Sequence, residues 1–389
     1  MRSRLLLVPA VCAAGLLALT GCVANDSSEA GGHAALTVDS GADACTVSAN
    51  TVPAGNTRFT VTNSGDQVTE FYLLGDDGLR IAGEVENIGP GLSRDLVVSL
   101  PAGNYFTACK PGMVGSGVGK AAFTVTKADG AAAVSTDFGA QIDTANANYA
   151  SYVKDQIGQL VTGTDAFVAA YLAGDDDTAR SLYPTTRAHW ERVETVAESF
   201  GDLDPKLDLR EADLEEGQDW TGWHAIEKDL WPTDAEPGFV AYSPEKRQQL
   251  ADQLVADTAT LHTKVQDLSF TLAQQTNGAI GLLDEVARGK VTGEEEIWSH
   301  TDLWDFQANV DGAKVLYAGV RDILIEKDPK LVTTLDREFT DLQTLLDAQR
   351  VGDGFTLYTA LSPAEIKALS DQVNALGEPL NKLTAALVL

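Results

Sequence analysis

Between residues 187 and 227 the chain reads RAHWERVETVAESFGDLDPKLDLREADLEEGQDWTGWHAIE. Glu191 and Glu194 stand three apart, His224 and Glu227 stand three apart, and Asp208 lies between the two pairs. Residues three apart on a helix share a face, so two helices can aim these pairs at one point. Carboxylates with one imidazole suit a hard or borderline cation: Fe(III), Fe(II), Mn(II) or Zn(II), with Cu(II) not excluded. Helical bundles build metal centres from such pairs on facing helices. A histidine near acids is also an ordinary solvated or core residue, so spacing alone leaves both readings open.

Positioning such pairs takes helices, and the second half of the chain supplies them. Apolar residues recur at Tyr149, Val153, Ile157, Leu160 and Val161 with a helical period. Gly174-Asp175-Asp176-Asp177 is a stop followed by an acidic helix start. The next helix carries His189, Trp190, Glu191 and Glu194 to an end near Phe200-Gly201. Further helices are predicted at about 221–230, 244–268, 270–288, 294–325, 329–349 and 363–386. Residues 147–389 thus read as an all-α, bundle-like domain. Glu294, Glu295 and Glu296 open the helix predicted from 294, where acids offset the dipole; one of them can also reach the site. His300, Asp302 and Asp305 are read as supporting groups around the ligands. Trp190, Trp220, Trp223 and Trp231 pack around the motif, while Trp298, Trp304 and Phe306 are core.

Residues 36–127 have another rhythm. Short alternating runs such as LTVDS, TRFTVTNSG, TEFYLLG, RDLVVSL and KAAFTVT are separated by Pro-Ala-Gly and Asn-Ser-Gly turns, the pattern of a small β-sandwich. The small, polar stretch 128–146 is read as a linker.

The charge excludes one class of partner. Lys+Arg 28 against Asp+Glu 57 gives −29, which leaves no basic excess to neutralise nucleic-acid phosphates. Such a surface gathers cations. At the amino terminus a basic MRSR, a short apolar run and Leu19-Thr20-Gly21-Cys22 have the layout of a signal peptide over 1–21. The Leu-Thr-Gly-Cys ending resembles a bacterial lipobox, which implies a lipid on Cys22 and export to the outer face of the cell membrane. Residues 22–35 then form a flexible tether.

The run from Cys109 through KPGM to AAFTVT resembles the cupredoxin ligand loop. A blue-copper site needs two histidines, and none lies between His33 and His189. Two readings stay open: Cys45 and Cys109 form a disulfide, or Cys45, Glu70, Cys109 and Met113 form an altered metal site.

HWERVETVAESFGDLDPKLDLREADLE, GWHAIEKDLW and VTGEEEIWSHTDLWDFQANVDG together resemble the imelysin-like HxxE family, and in particular its iron-transport lipoproteins, which join a cupredoxin-like domain to the helical one. The fold so implied is multidomain: a small all-β cupredoxin-like sandwich followed by an all-α helical bundle. The resemblance places the HxxE motif on His224 and Glu227, with Glu191, Glu194 and Asp208 completing an iron site, and Zn(II) or Cu(II) as possible occupants of the same ligands. It implies a membrane iron permease and an extracytoplasmic haem peroxidase as partners. It also offers Cys45, Glu70 and Cys109 as ligands in the sandwich, where a further acid of the family is Asn104 here. Competing readings are a metallopeptidase, a ferroxidase and a metal-dependent binder of acidic polysaccharide. The peptidase reading lacks the second histidine of HExxH, because Lys228 stands in its place.

Overall fold

The computed structural model describes residues 34–76, 78, 81–113, 117–127, 136–214 and 217–389. The leader 1–21, Cys22 and the tether up to residue 33 lie outside the described residues.

Among the described residues nine strands come first: β1 (Ala34–Ser40), β2 (Cys45–Val47), β3 (Thr51–Pro53), β4 (Gly55–Asn63), β5 (Thr69–Leu74), β6 (Ile81–Ile88), β7 (Ser93–Leu100), β8 (Gly103–Cys109) and β9 (Val118–Thr126). They form two sheets, ordered β2-β1-β4-β7 and β3-β9-β8-β5-β6. Period-two alternation turns Phe59, Val61, Leu96 and Val98 of one sheet toward Phe71, Leu73, Phe123 and Val125 of the other, forming a single apolar core. Cys45 on β2 and Cys109 on β8 are joined by a disulfide across the two sheets. Bonded sulfurs offer no thiolate to a metal. Among the described residues, no converging group of His, Cys, Asp and Glu ligand atoms includes Cys45, Glu70 or Cys109. Glu70 is buried and accepts a hydrogen bond from the Tyr72 hydroxyl at 2.5 Å.

The helices are α1 (Thr136–Ala173), α2 (Asp176–Glu191), α3 (Leu203–Asp208), α4 (Trp223–Leu230), α5 (Pro244–Val265), α6 (Leu272–Arg288), α7 (Asp302–Lys327), α8 (Pro329–Asp347), α9 (Pro363–Leu380) and α10 (Leu383–Val388). A short hairpin, β10 (Arg350–Val351) with β11 (Gly354–Phe355), interrupts the otherwise all-α order. The stretch read as a linker is corrected: α1 already begins at Thr136. Phe138, Ile142 and Ala145 continue the apolar stripe of Tyr149 and Val153 onto the bundle core, and burial of that stripe outweighs the low large-residue content that suggested a linker. Ala34 and Ala35, assigned to the expected tether, instead begin β1.

α1 packs on α2 and α5, and α7 packs on α2, α6 and α8. α6 lies along β6 and β7. There Asn277 Nδ2 donates to the Val97 carbonyl at 2.7 Å, and Arg94 pairs with Asp284. Among the described residues no helix is long and apolar enough to cross a membrane.

Candidate metal centre

α2 is fixed at its start by Asp175, whose side chain accepts from the Thr178 N–H, and buries Arg187, Trp190 and Glu191 on one face. The helix stops at Glu191 instead of continuing to Phe200. Glu194 therefore sits on a following 3-10 turn that is itself broken at Val196. The break has a visible cause: Asn309 of α7 donates to the Glu191 carbonyl at 2.9 Å. The same amide lies 2.9 Å from Glu191 Oε2 and from Glu194 Oε2, so both acids stay on one side of the pocket despite the kink.

α4 is short and buried along its whole length. Its polar residues are all partnered: Lys228 with Glu211 and Glu236, Asp229 with Arg247 and the Tyr171 hydroxyl. Gly222 caps it at φ +87, and a Cβ there would lie 2.2 Å from the Leu207 carbonyl oxygen. Only glycine lets α4 start against the backbone of α3, and that contact sets His224 beside Asp208. Gly222→Ala is expected to cost about 3 kcal/mol and to weaken cation binding at the same time, checked by thermal unfolding and titration. An alanine variant as stable as the parent contradicts this role.

The segment 294–301 was expected to be helical, but α7 begins only at Asp302. Gly293 and His300 adopt left-handed backbone (φ 75 and 58), and the chain between them folds over α4. Glu227 Oε1 holds this fold by accepting from the N–H groups of Trp298 (3.0 Å) and Ser299 (2.7 Å). Glu295 and Glu296 are consequently buried in the centre, not on a helix start as the dipole argument expected. Asp302 Oδ1 accepts from the Glu296 N–H at 3.2 Å and Ser299 Oγ donates to Glu296 Oε2 at 2.7 Å.

His224 is the meeting point. Its Nδ1 lies 3.1 Å from Glu227 Oε2, and its Nε2 lies 3.5 Å from Asp208 Oδ1 and 3.6 Å from Glu295 Oε1. Among the described residues, three groups of ligand atoms converge within 4.8 Å: Asp208, His224 and Glu295; His224, Glu227 and Glu296; Glu191, Glu194 and Asp208. Of the five residues singled out in the sequence all lie here, and Glu295 and Glu296 join them. Asp305 stands 3.6 Å from Arg187 Nε with neither carboxylate oxygen hydrogen-bonded. The backbone N–H of His300 donates to the Glu296 carbonyl, and its ring belongs to none of the three converging groups.

Two buried basic side chains thread these acids, and the partly exposed Arg210 reaches Glu295 at 3.5 Å. Arg187, fully buried, pairs with Glu191 and Asp208, and its Nε lies 2.7 Å from Glu296. Lys290 Nζ lies 2.7 Å from both Glu191 and Glu194. Burial, and then the neighbouring Glu227 charge, push the Glu296 carboxyl up to about 8. Burial likewise raises Glu194 and Asp305 well above the usual carboxylate range. Asp208 goes the other way: burial would raise it, but Arg187 and His224 hold it low. For His224, burial and Arg187 push down, yet hydrogen bonds to Asp208, Glu227 and Glu295 carry it well above the ordinary histidine value. A buried excess of carboxylates, some without hydrogen-bond partners, is a donor set suited to a multivalent cation.

The family model described as Imelysin (peptidase M75) matches residues 145–383. The chain belongs to the imelysin family. The iron uptake system component EfeO of Escherichia coli O157:H7 is 37% identical over 341 residues, 87% of each chain, and that of Shigella flexneri gives the same figures. These matches make the chain an EfeO-type imelysin-like protein. The crystal structure of an iron-regulated protein A precursor from Parabacteroides distasonis aligns with TM-score 0.49 and 16% identity, over 63% of this chain and 95% of that one.

In this imelysin-family chain a cavity of about 610 Å³ opens between sandwich and bundle, and Glu194, Asp208 and Glu295 form part of its wall. Glu84 of β6 faces Glu198 across it. Burial, then the Glu198 charge and hydrogen bond, raise the Glu84 carboxyl well above its ordinary value; Glu198 is itself exposed to solvent, so Glu84 is the member that carries the shift. A raised folded-state pKa means that the native state binds the shared proton more tightly than the unfolded chain. Stability is then fullest below about pH 4 and is lost as pH rises through the folded value. Glu84→Gln is expected to raise the melting temperature at pH 8 and to flatten its decline between pH 5 and 8. An unchanged slope contradicts the shared proton.

Proposed function

We propose that this protein is an extracytoplasmic iron-binding lipoprotein that captures Fe(III) or Fe(II) and delivers it to a membrane iron permease. The observation that carries the reading is His224. Its Nδ1 is held by Glu227, leaving Nε2 between Asp208 and Glu295 at 3.5 and 3.6 Å. This is the arrangement of a ligating imidazole whose other nitrogen is oriented by a carboxylate. Glu191 and Glu194 complete a set of oxygen donors that favours ferric over soft cuprous ion, and that Zn(II) or Cu(II) can also occupy. The acid-lined cavity and the net charge of −29 attract cations toward that set. The Escherichia coli and Shigella flexneri relatives are iron uptake system components, which supports this choice of cargo.

On this reading the protein binds and hands on its ion without turnover. Position 228, where a HExxH peptidase carries its second histidine, holds Lys228. Its ammonium is occupied by Glu211 and Glu236 and by the rings of Trp220, Phe239 and Trp298. The lipid on Cys22 keeps the protein at the membrane beside its permease and a haem peroxidase, and the disulfide-pinned sandwich serves as a copper-free, cupredoxin-like partner to the bundle. Equilibrium dialysis of the mature chain against ferrous ion under anaerobic conditions, and against ferric ion as a weak citrate chelate, tests the cargo. Stoichiometric uptake of either supports it, and no uptake of both contradicts it.

A further inference from the structure

The centre of the ligand set is already filled by the protein's own positive charge. Arg187 is fully buried and lies between Glu191 and Asp208, with its Nε 2.7 Å from Glu296 and its Nη2 3.5 Å from Glu295. Its Nη1 stands 3.4 Å from His224 Nε2, the nitrogen left for an ion. Lys290, 2% exposed, takes Glu191 and Glu194 at 2.7 Å and approaches Glu295 at 3.9 Å. Every acid in the three converging groups except Glu227 thus touches one of these two cations. A site built only to hold an ion gains nothing from them, because each repels the cation at short range. Buried carboxylates without them would be unpaired in the ion-free protein and would repel one another.

We propose that Arg187 and Lys290 are resident counter-cations that the cargo must displace from its ligands and that reclaim those ligands on release. The inference rests on the reading of this site as a cation site. Loading exchanges ion pairs within the protein for metal–ligand bonds, with no net change in the number of satisfied carboxylates. Affinity is thereby held below what the ligands alone would give, and the empty site stays folded. Both properties suit a carrier that must surrender its ion.

The test uses the full mature chain and Zn(II) as a redox-inert probe, with affinity read by competition titration and stability by thermal unfolding. Lys290→Gln and Arg187→Gln are expected to lower the ion-free melting temperature by several degrees. Each is also expected to bind Zn(II) at least about tenfold more tightly and to gain more degrees on Zn(II) addition than the parent. Lys290→Arg, which keeps the charge, should restore the parental affinity. A purely structural role predicts lower stability with equal or weaker affinity, and that result overturns the proposal. If Arg187→Gln does not fold, Lys290→Gln decides. If neither folds, the side-chain ¹⁵N resonance of Arg187 in the wild type decides: it shifts on Zn(II) saturation if the guanidinium is displaced, and an unmoved resonance overturns the proposal. Wild-type protein that binds no Zn(II), Fe(II) or Fe(III) removes the cation-site reading itself. Wild-type binding with unaltered variants removes only the counter-cations.

Discussion

His224→Ala is expected to lower affinity for Fe(II) and Zn(II) by at least about 100-fold while leaving helical content unchanged. The size follows from geometry. His224 is the one imidazole in the three converging groups, and its ring belongs to two of them. The ring is held in place, since Nδ1 is bound to Glu227 Oε2 and Glu227 Oε1 accepts from the Trp298 and Ser299 N–H groups. Glu227→Gln is expected to cost less, about 10–100-fold, the range for groups that orient a ligand. Helicity survives because α4 remains packed through Trp223, Ile226 and Leu230, all at 0% exposure. Titration calorimetry with circular dichroism on the same samples checks both. Binding by His224→Ala within a few-fold of the parent contradicts the assignment.

The second large effect is on Glu295. Three consecutive glutamates meet three environments. The Glu294 side chain is 54% exposed and lies 3.4 Å from Arg210, whereas Glu295 and Glu296 are buried. Glu295 alone faces His224 Nε2 from that segment. Lys290, His224 and Arg187 together hold its carboxyl well below the ordinary range against the opposing effect of burial. It is therefore an ionised oxygen donor poised at the ring nitrogen. Glu295→Gln is expected to weaken Zn(II) and Fe(II) binding about 10–100-fold, and Glu294→Gln to leave it within about twofold, as befits an exposed pair. Equal losses in the two variants would show that the segment acts through its net charge and not through a ligand.

Much of the centre was legible from the chain. Glu191, Glu194, His224 and Glu227 were singled out by helical spacing and Asp208 by its place between the pairs and the family resemblance; all five lie together, although α2 ends at Glu191 and the first pair does not share one helix. The pair comes together for another local reason than the one expected, since Asn309 and Lys290, not helical periodicity, gather Glu191 and Glu194. Glu295 and Glu296 were read as helix-start acids because EEE before an apolar-periodic run is a common amino-terminal signal. The left-handed turns at Gly293 and His300 that fold this segment inward depend on contacts to α4 far away in sequence. Gly293 was a visible sign of such a turn; the positive φ of His300 had none. Arg187 has a local trace, standing four residues before Glu191 on one helix face. Lys290 has none. The helical period of Phe138 and Ile142 was present but hidden by the small residues around them.

The most direct test is a crystal of the mature chain soaked with ferrous ion and measured at the iron absorption edge. The account predicts an anomalous peak about 2 Å from His224 Nε2, the usual reach of a metal–imidazole bond, with oxygens of Asp208 and Glu295 in its coordination sphere. A peak located only in the sandwich, or one bounded by acids with the His224 ring turned away, would contradict it.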